Sequence, residues 1–207
     1  MTEAAAGQAA VAFVLASGSQ GRLRVLRDAG MDPEVVVSGA DESSETGLAT
    51  ADLVQDLAER KAAAVASQRP EALVLGCDSL LDLDGVAYGK PASAEQARQM
   101  WRLMSGRPGT LCTGHCLIDG PRGRQVRGVA RTVVRFGTPG EEELAAYVAS
   151  GEPLMLAGAF SLDGRSGPFV DGIHGDPSNV IGLSLPLLRR MLADLGRSVT
   201  DLWRPVG

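Results

Sequence analysis

Lysine is nearly missing from this chain. The 207 residues carry 20 basic side chains, yet only Lys61 and Lys90 are lysines and the rest are arginines. A GC-rich coding bias accounts for most of that choice. The two lysines that persist point to places where a compact ammonium on a flexible stem suits the chemistry better than a planar fork. Aromatic residues make up only 4% of the chain, so the core is expected to be built from Ala, Val and Leu. Excess positive charge is absent too. A net charge of −5 argues against a nucleic-acid polymer as partner, since such binders carry a basic face. A single nucleotide is not excluded, because its phosphates need only a few well-placed cations.

Cysteine is sparse and shows no framework. Cys77, Cys112 and Cys116 are an odd set, and Cys112 and Cys116 lack two further ligands at zinc-site spacing, which leaves them structural. Residues 1–10 carry Glu3 rather than a basic region, and no apolar run approaches the ~20 residues of a membrane span. The expectation is a reduced, cytoplasmic protein with no membrane partner.

With 44% hydrophobic residues the chain has ample material for one globular domain, in one or two lobes. Twenty-six glycines and eleven prolines imply many tight turns. Residues 11–16 (VAFVLA) are a continuous apolar run, hence a buried strand. A small-residue turn and an amphipathic helix ending near Gly30 follow. A second strand is expected at 34–38, an acidic loop at 41–45, and an Ala- and Leu-rich helix at 50–67. Residues 72–76 (ALVLG) are another buried strand, with Asp78 and Ser79 just beyond it and a hairpin at 80–88 turning on Asp84-Gly85.

Ser93 and Gln96 form a capping box for a helix to about Ser105, and Thr138, Pro139 and Glu141 a second one for a helix to about Ser150. Long paired strands are expected at 110–118 and 126–136, and a last helix at 184–195. Strands alternating with helices make a single mixed α/β domain, with an N-terminal extension at 1–10, the domain at 11–195 and a tail at 196–207.

Three places carry candidate chemistry. In the first turn, backbone N–H groups at a helix start, the Ser17 and Ser19 hydroxyls and Arg22 would together cradle a phosphate; an ordinary turn with Ser19 as N-cap is the plainer reading. Gly89-Lys90-Pro91 is not a phosphate-binding P-loop, since only three residues separate Gly85 from Gly89 and Pro91 supplies neither N–H nor hydroxyl. Lys90 can still reach a phosphate as a point charge. Asp78 follows a buried strand, where a carboxylate costs free energy unless it is paired or functional. Together with Glu42 it would bind a divalent metal through oxygen. Neither His115 nor His174 has the partners of a triad or a zinc site, and both read as structural.

In order along the chain these signals combine. Leu15-Ala16-Ser17-Gly18-Ser19, Asp41-Glu42, Glu59-Arg60-Lys61-Ala62, Gly76-Cys77-Asp78-Ser79, Gly89-Lys90-Pro91, Ser105-Gly106-Arg107, the stretch from Tyr147 to Leu154, Ala157-Gly158-Ala159-Phe160 and the stretch from Ser178 to Leu183 resemble the Maf family of nucleoside triphosphate pyrophosphatases. Both lysines fall inside the match. The resemblance implies an elongated α/β fold like that of the inosine-triphosphate pyrophosphatases, with the nucleotide in a cleft between two lobes, and a cytoplasmic homodimer. It implies Asp78 as proton acceptor, Glu42 with Asp78 at a divalent cation (magnesium or manganese), and Ser17, Arg22, Lys61 and Lys90 at the phosphates.

Three positions depart from the family pattern. Gly21 stands where many members have the first of two arginines. Asp78-Ser79 replaces the usual Asp-Thr or Asp-Gln. Asp163 occupies the position of a Gln or Glu that tracks base choice. These positions bear on which base is accepted, and an ionised Asp163, able only to accept, leans toward a guanine-like base. Two rival readings follow from the residues: a non-catalytic nucleotide-binding regulator of cell division, and a monoester phosphohydrolase using Cys77, which alternation points away from Asp78.

Overall fold

The computed structural model describes residues 11–41 and 47–204. A seven-stranded sheet runs in the order β2-β1-β3-β5-β6-β7, with β4 paired to β3. Its strands are β1 (Phe13–Leu15), β2 (Glu34–Val35), β3 (Leu73–Leu83), β4 (Val86–Tyr88), β5 (Pro108–Asp119), β6 (Arg124–Phe136) and β7 (Val170–His174). The helices are α1 (Gln20–Asp28), α2 (Thr50–Ala66), α3 (Ala94–Met104), α4 (Glu141–Ala149), α5 (Pro177–Ile181) and α6 (Leu185–Asp194). β1 lies parallel to β2 and β3, while β3, β5, β6 and β7 alternate in direction. The expected mixed α/β sheet is what forms.

Strand alternation divides the interior. On one face Phe13 and Leu15 of β1, with Leu73, Leu75 and Cys77 of β3, pack on Leu23 and Leu26 of α1 and Leu188 and Met191 of α6. Further along the same face of β3, Leu81 and Leu83 join a second core with Trp101, Phe136, Tyr147 and Phe160. Trp101 makes edge-to-face contacts with Phe136, Tyr147 and Phe169, at centroid distances of 5.9, 5.9 and 5.6 Å. Its indole N–H and the Tyr147 hydroxyl both donate to Ala159 O, at 2.9 and 3.0 Å. The expected aliphatic core thus describes the first lobe only. Aromatics are few, but Phe13 and Trp203 are the only ones not packed in or against the second core.

On the opposite face α2 presses directly against the sheet. A Cβ on Gly76 would come within 2.4 Å of Ala58 O, and one on Gly114 within 2.1 Å of Val54 O. Only glycine admits so close a helix, and that approach brings α2 side chains onto the middle of β3.

Several local expectations are corrected. Asp78 and Ser79 are not beyond a strand end: β5 stays paired to β3 from Leu73↔Asp119 to Asp82↔Thr110, so β3 runs through them. The second strand shrinks to Glu34–Val35. The second capping box shifts to Gly140, whose N–H donates to Glu143 Oε2 at 2.7 Å. A short helix not expected at all, α5, is opened by Asp176 and Pro177. The hairpin turn is as expected, with Asp84 (φ 54°) and Gly85 (φ 82°) both left-handed. Residues 196–204, read as a tail, return to the first lobe, where Arg197 pairs with the buried Asp119 and Met31 bridges Trp203. The N-terminal extension lies outside the described residues.

Candidate active site

The site begins with an interruption in the sheet. β1 pairs with β3 only at Leu73 to Leu75, and β4 only at Leu81 to Leu83. Between them, residues 76–80 pair with no described strand on that edge, and there the two hydrophobic cores part. Ser79 stands between Cys77 of the first core and Leu81 of the second. Opposite it on β5, Thr113 and His115 stand between Leu111 and Leu117. A polar seam therefore crosses the face of the sheet.

Arg22 is anchored in that seam. Its Nε donates to Gly182 O (2.8 Å), Nη1 to Ser17 Oγ (3.0 Å) and Nη2 to Ser79 Oγ (2.9 Å). The side chain is 8% exposed, and among the described residues it has no carboxylate partner. A buried cation held only by neutral acceptors is costly without an anion. Two of the five guanidinium N–H groups remain for one. The same turn starts α1, whose N-terminus adds partial positive charge. Ser19 is the N-cap, accepting from Arg22 N (3.4 Å), and its own N–H donates to Ser17 Oγ (3.2 Å). With Ser17 Oγ accepting twice, its hydroxyl proton is left to donate.

The other face of β3 presents Asp78. Lys61 of α2 reaches it, Nζ to Oδ1 2.5 Å, with both side chains largely buried. The second carboxylate oxygen, Oδ2, makes no hydrogen bond with a described residue. This stretch of β3 thus carries a carboxylate–ammonium pair on one side and a guanidinium on the other.

The remaining expected residues are placed as follows. Lys90 is exposed beyond β4 and pairs with no described residue. Gly21 lies against Ile181, where a Cβ would meet the carbonyl oxygen at 3.2 Å. Asp163 is held by Arg24 of α1 and by Ser161. Glu42 lies outside the described residues, and among the described residues no group of three or more His, Cys, Asp or Glu is placed to hold a metal. Burial pushes the Cys77 thiol up to about 12, which disqualifies it as a thiolate nucleophile.

His115 is a structural residue, as expected. Ser184 N–H donates to its Nε2 (2.9 Å), so the ring proton is on Nδ1, facing Thr113 O (3.0 Å). Burial lowers its pKa to about 4. His174 is exposed at the end of β7. Sequence reasoning missed Thr113, and gave Asn179 and Gly182, which lie inside the quoted 178–183 motif, no role. A signal was present: Thr113 and His115 interrupt the apolar face of a strand at alternate positions. An apolar groove of about 330 Å³ lined by Met31, Leu188 and Trp203 shares no residue with this site.

The fold and site together define an α/β protein with a buried guanidinium that has no carboxylate partner among the described residues, beside a lysine-paired carboxylate. The chain belongs to the Maf family: the family model described as Maf-like protein matches residues 12–195. It is 63% identical to a nucleoside triphosphate pyrophosphatase of Streptomyces coelicolor over 196 residues, covering 93% of this chain and 95% of the relative. Proteins of the same name from Mycobacterium sp. (strain JLS) and Nocardia farcinica are 54% and 51% identical, covering 92% and 93% of this chain and 97% and 96% of theirs.

Proposed function

We propose that this protein hydrolyses nucleoside triphosphates to the monophosphate and pyrophosphate. The observation that carries the reading is the buried Arg22 guanidinium with no carboxylate partner among the described residues, next along the sheet edge to the Asp78–Lys61 pair. The names of its relatives support the same reaction. They also speak for an enzyme over a regulator that only binds nucleotide.

Arg22, the Ser17 hydroxyl and the α1 N-terminus bind the phosphates, with Ser19 shaping the turn and Lys61 and Lys90 adding charge. Charge-assisted hydrogen bonds from a guanidinium fork suit phosphate oxygens in geometry and strength. Asp78 Oδ2 takes a proton from a water as that water attacks the α-phosphorus. The bond from the α-phosphorus to the α–β bridging oxygen breaks, and pyrophosphate leaves. The cations neutralise the charge that grows on it. Lys61 fixes the orientation of the carboxylate throughout.

One described carboxylate with a free oxygen does not make a protein cage for a metal. It does fit magnesium or manganese carried in on the triphosphate, which needs only one or two protein carboxylates; Asp78 and Glu42 would hold it. Such an ion would supply further charge neutralisation at the phosphates. Gly21, Ser79 and Asp163 are the positions that set base preference, Asp163 as an acceptor steadied by Arg24. The protein acts in the cytoplasm as a homodimer, with a nucleotide and not a nucleic-acid polymer as its partner. The test is to count orthophosphate from a panel of triphosphates with and without added inorganic pyrophosphatase. Signal that depends on the helper enzyme supports the reading, whereas orthophosphate released without it would refute it.

A further inference from the structure

Thr113, in the polar seam, has no part in the mechanism above. Thr113 is fully buried. Its hydroxyl lies 3.0 Å from Ser79 Oγ and 3.4 Å from Asn179 O. A carbonyl can only accept, so the Thr113 proton goes to Asn179 O. Ser79 must then donate to Thr113, and its oxygen is left to accept from Arg22 Nη2. The row therefore has one direction, from Arg22 through Ser79 and Thr113 to Asn179 O.

The row also closes on itself. Gly182 N–H donates to Asn179 O at 2.9 Å, and Gly182 O receives Arg22 Nε at 2.8 Å. Asn179 is itself buried and held at its side chain, whose amide donates to Leu111 O and Thr132 Oγ1, both at 3.1 Å. The end of α5 thus supplies a fixed acceptor at each end of the guanidinium's contacts.

We propose that Thr113 is a positioning residue for the phosphate site, acting through Ser79 on Arg22. By taking the Ser79 proton it makes Ser79 an obligate acceptor, and this holds the fork with its two unused N–H groups toward the ligand. Without Thr113 the Ser79 hydroxyl is free to turn, and Arg22 loses a defined acceptor. The inference rests on the reading that Arg22 receives the triphosphate.

Binding of inorganic tripolyphosphate with magnesium, measured by calorimetry on the full chain, tests it without requiring turnover. Thr113→Val should weaken binding about tenfold, the size expected when a buried hydrogen bond to a charged group is lost. Thr113→Ser, which keeps the hydroxyl, should restore affinity to within about twofold. In an Arg22→Lys background, which keeps the charge but loses the fork, Thr113→Val should add less than about twofold, as coupled residues do. KM for the triphosphate should rise with the same pattern while kcat holds.

Unchanged binding in Thr113→Val, or an equal loss in both backgrounds, would overturn the role of Thr113 and leave the proposed reaction standing if the wild type still releases pyrophosphate. A lowered melting temperature with unchanged affinity would do the same. A wild-type protein that binds no tripolyphosphate would overturn the phosphate site itself, and the inference with it.

Discussion

The two lobes are held together by different means, although one sheet runs through both. The first is aliphatic: Leu15, Leu26, Leu75, Leu188 and Leu192 fill the space between β1, β3, α1 and α6. The second gathers its aromatics around Trp101, with directional edge-to-face contacts and two donors on a single carbonyl. Between them lies a band where the same strands carry Ser79, Thr113 and His115. Hydrophobic burial fixes each lobe and hydrogen bonds fix the seam. Stability and chemistry should therefore be separable by mutation.

The largest expected effect falls at Asp78, across the sheet from the seam. Asp78→Asn should lower kcat about a thousandfold or more, the scale of a lost general base, while the protein still folds, at an unfolding midpoint lowered because the largely buried Lys61 loses its charged partner. A variant keeping most of its turnover would remove Asp78 from that role. Next comes the aromatic lobe. Trp101→Ala should cost about 4 kcal/mol in denaturant unfolding, because it empties a large volume and leaves three rings without their partner. Leu188→Ala in the aliphatic lobe should cost less, about 3 kcal/mol, and leave KM unaltered. Equal costs would mean that the directional contacts add nothing to burial.

The smallest effect appears only in acid. Burial holds the folded His115 near 4, against about 6.5 when unfolded. Between those values the unfolded chain binds a proton that the folded chain does not, so stability is full above that window and falls as pH drops through it. His115→Gln should flatten this limb in melts run across the window. Loss at lower pH should persist in that variant, since hydrogen bonding to Arg197 holds the Asp119 carboxyl below its usual range.

Much of the frame was legible in the sequence because its signals are local. An apolar run, a small-residue turn and a helical stripe announced β1 and α1, and Asp84-Gly85 announced its hairpin. The family motifs marked Lys61 and Asp78, which the structure pairs. What could not be read depends on pairing between distant segments. Ser79 meets Thr113 only through the β3–β5 register, and two of the three Arg22 acceptors lie far away in sequence. Asp78 looked like a strand-end residue because the apolar run stops at Gly76, whereas pairing with β5 carries the strand on. α5 is only five residues between Asp176 and Gly182, too short for periodicity to reveal.

The central claim is that water attacks the α-phosphorus beside Asp78. Turnover of a triphosphate in water enriched in heavy oxygen, followed by mass spectrometry of both products, tests it most directly. The label should appear in the nucleoside monophosphate and be absent from pyrophosphate. Label in pyrophosphate, or in orthophosphate, would place the attack on another phosphorus and contradict the account.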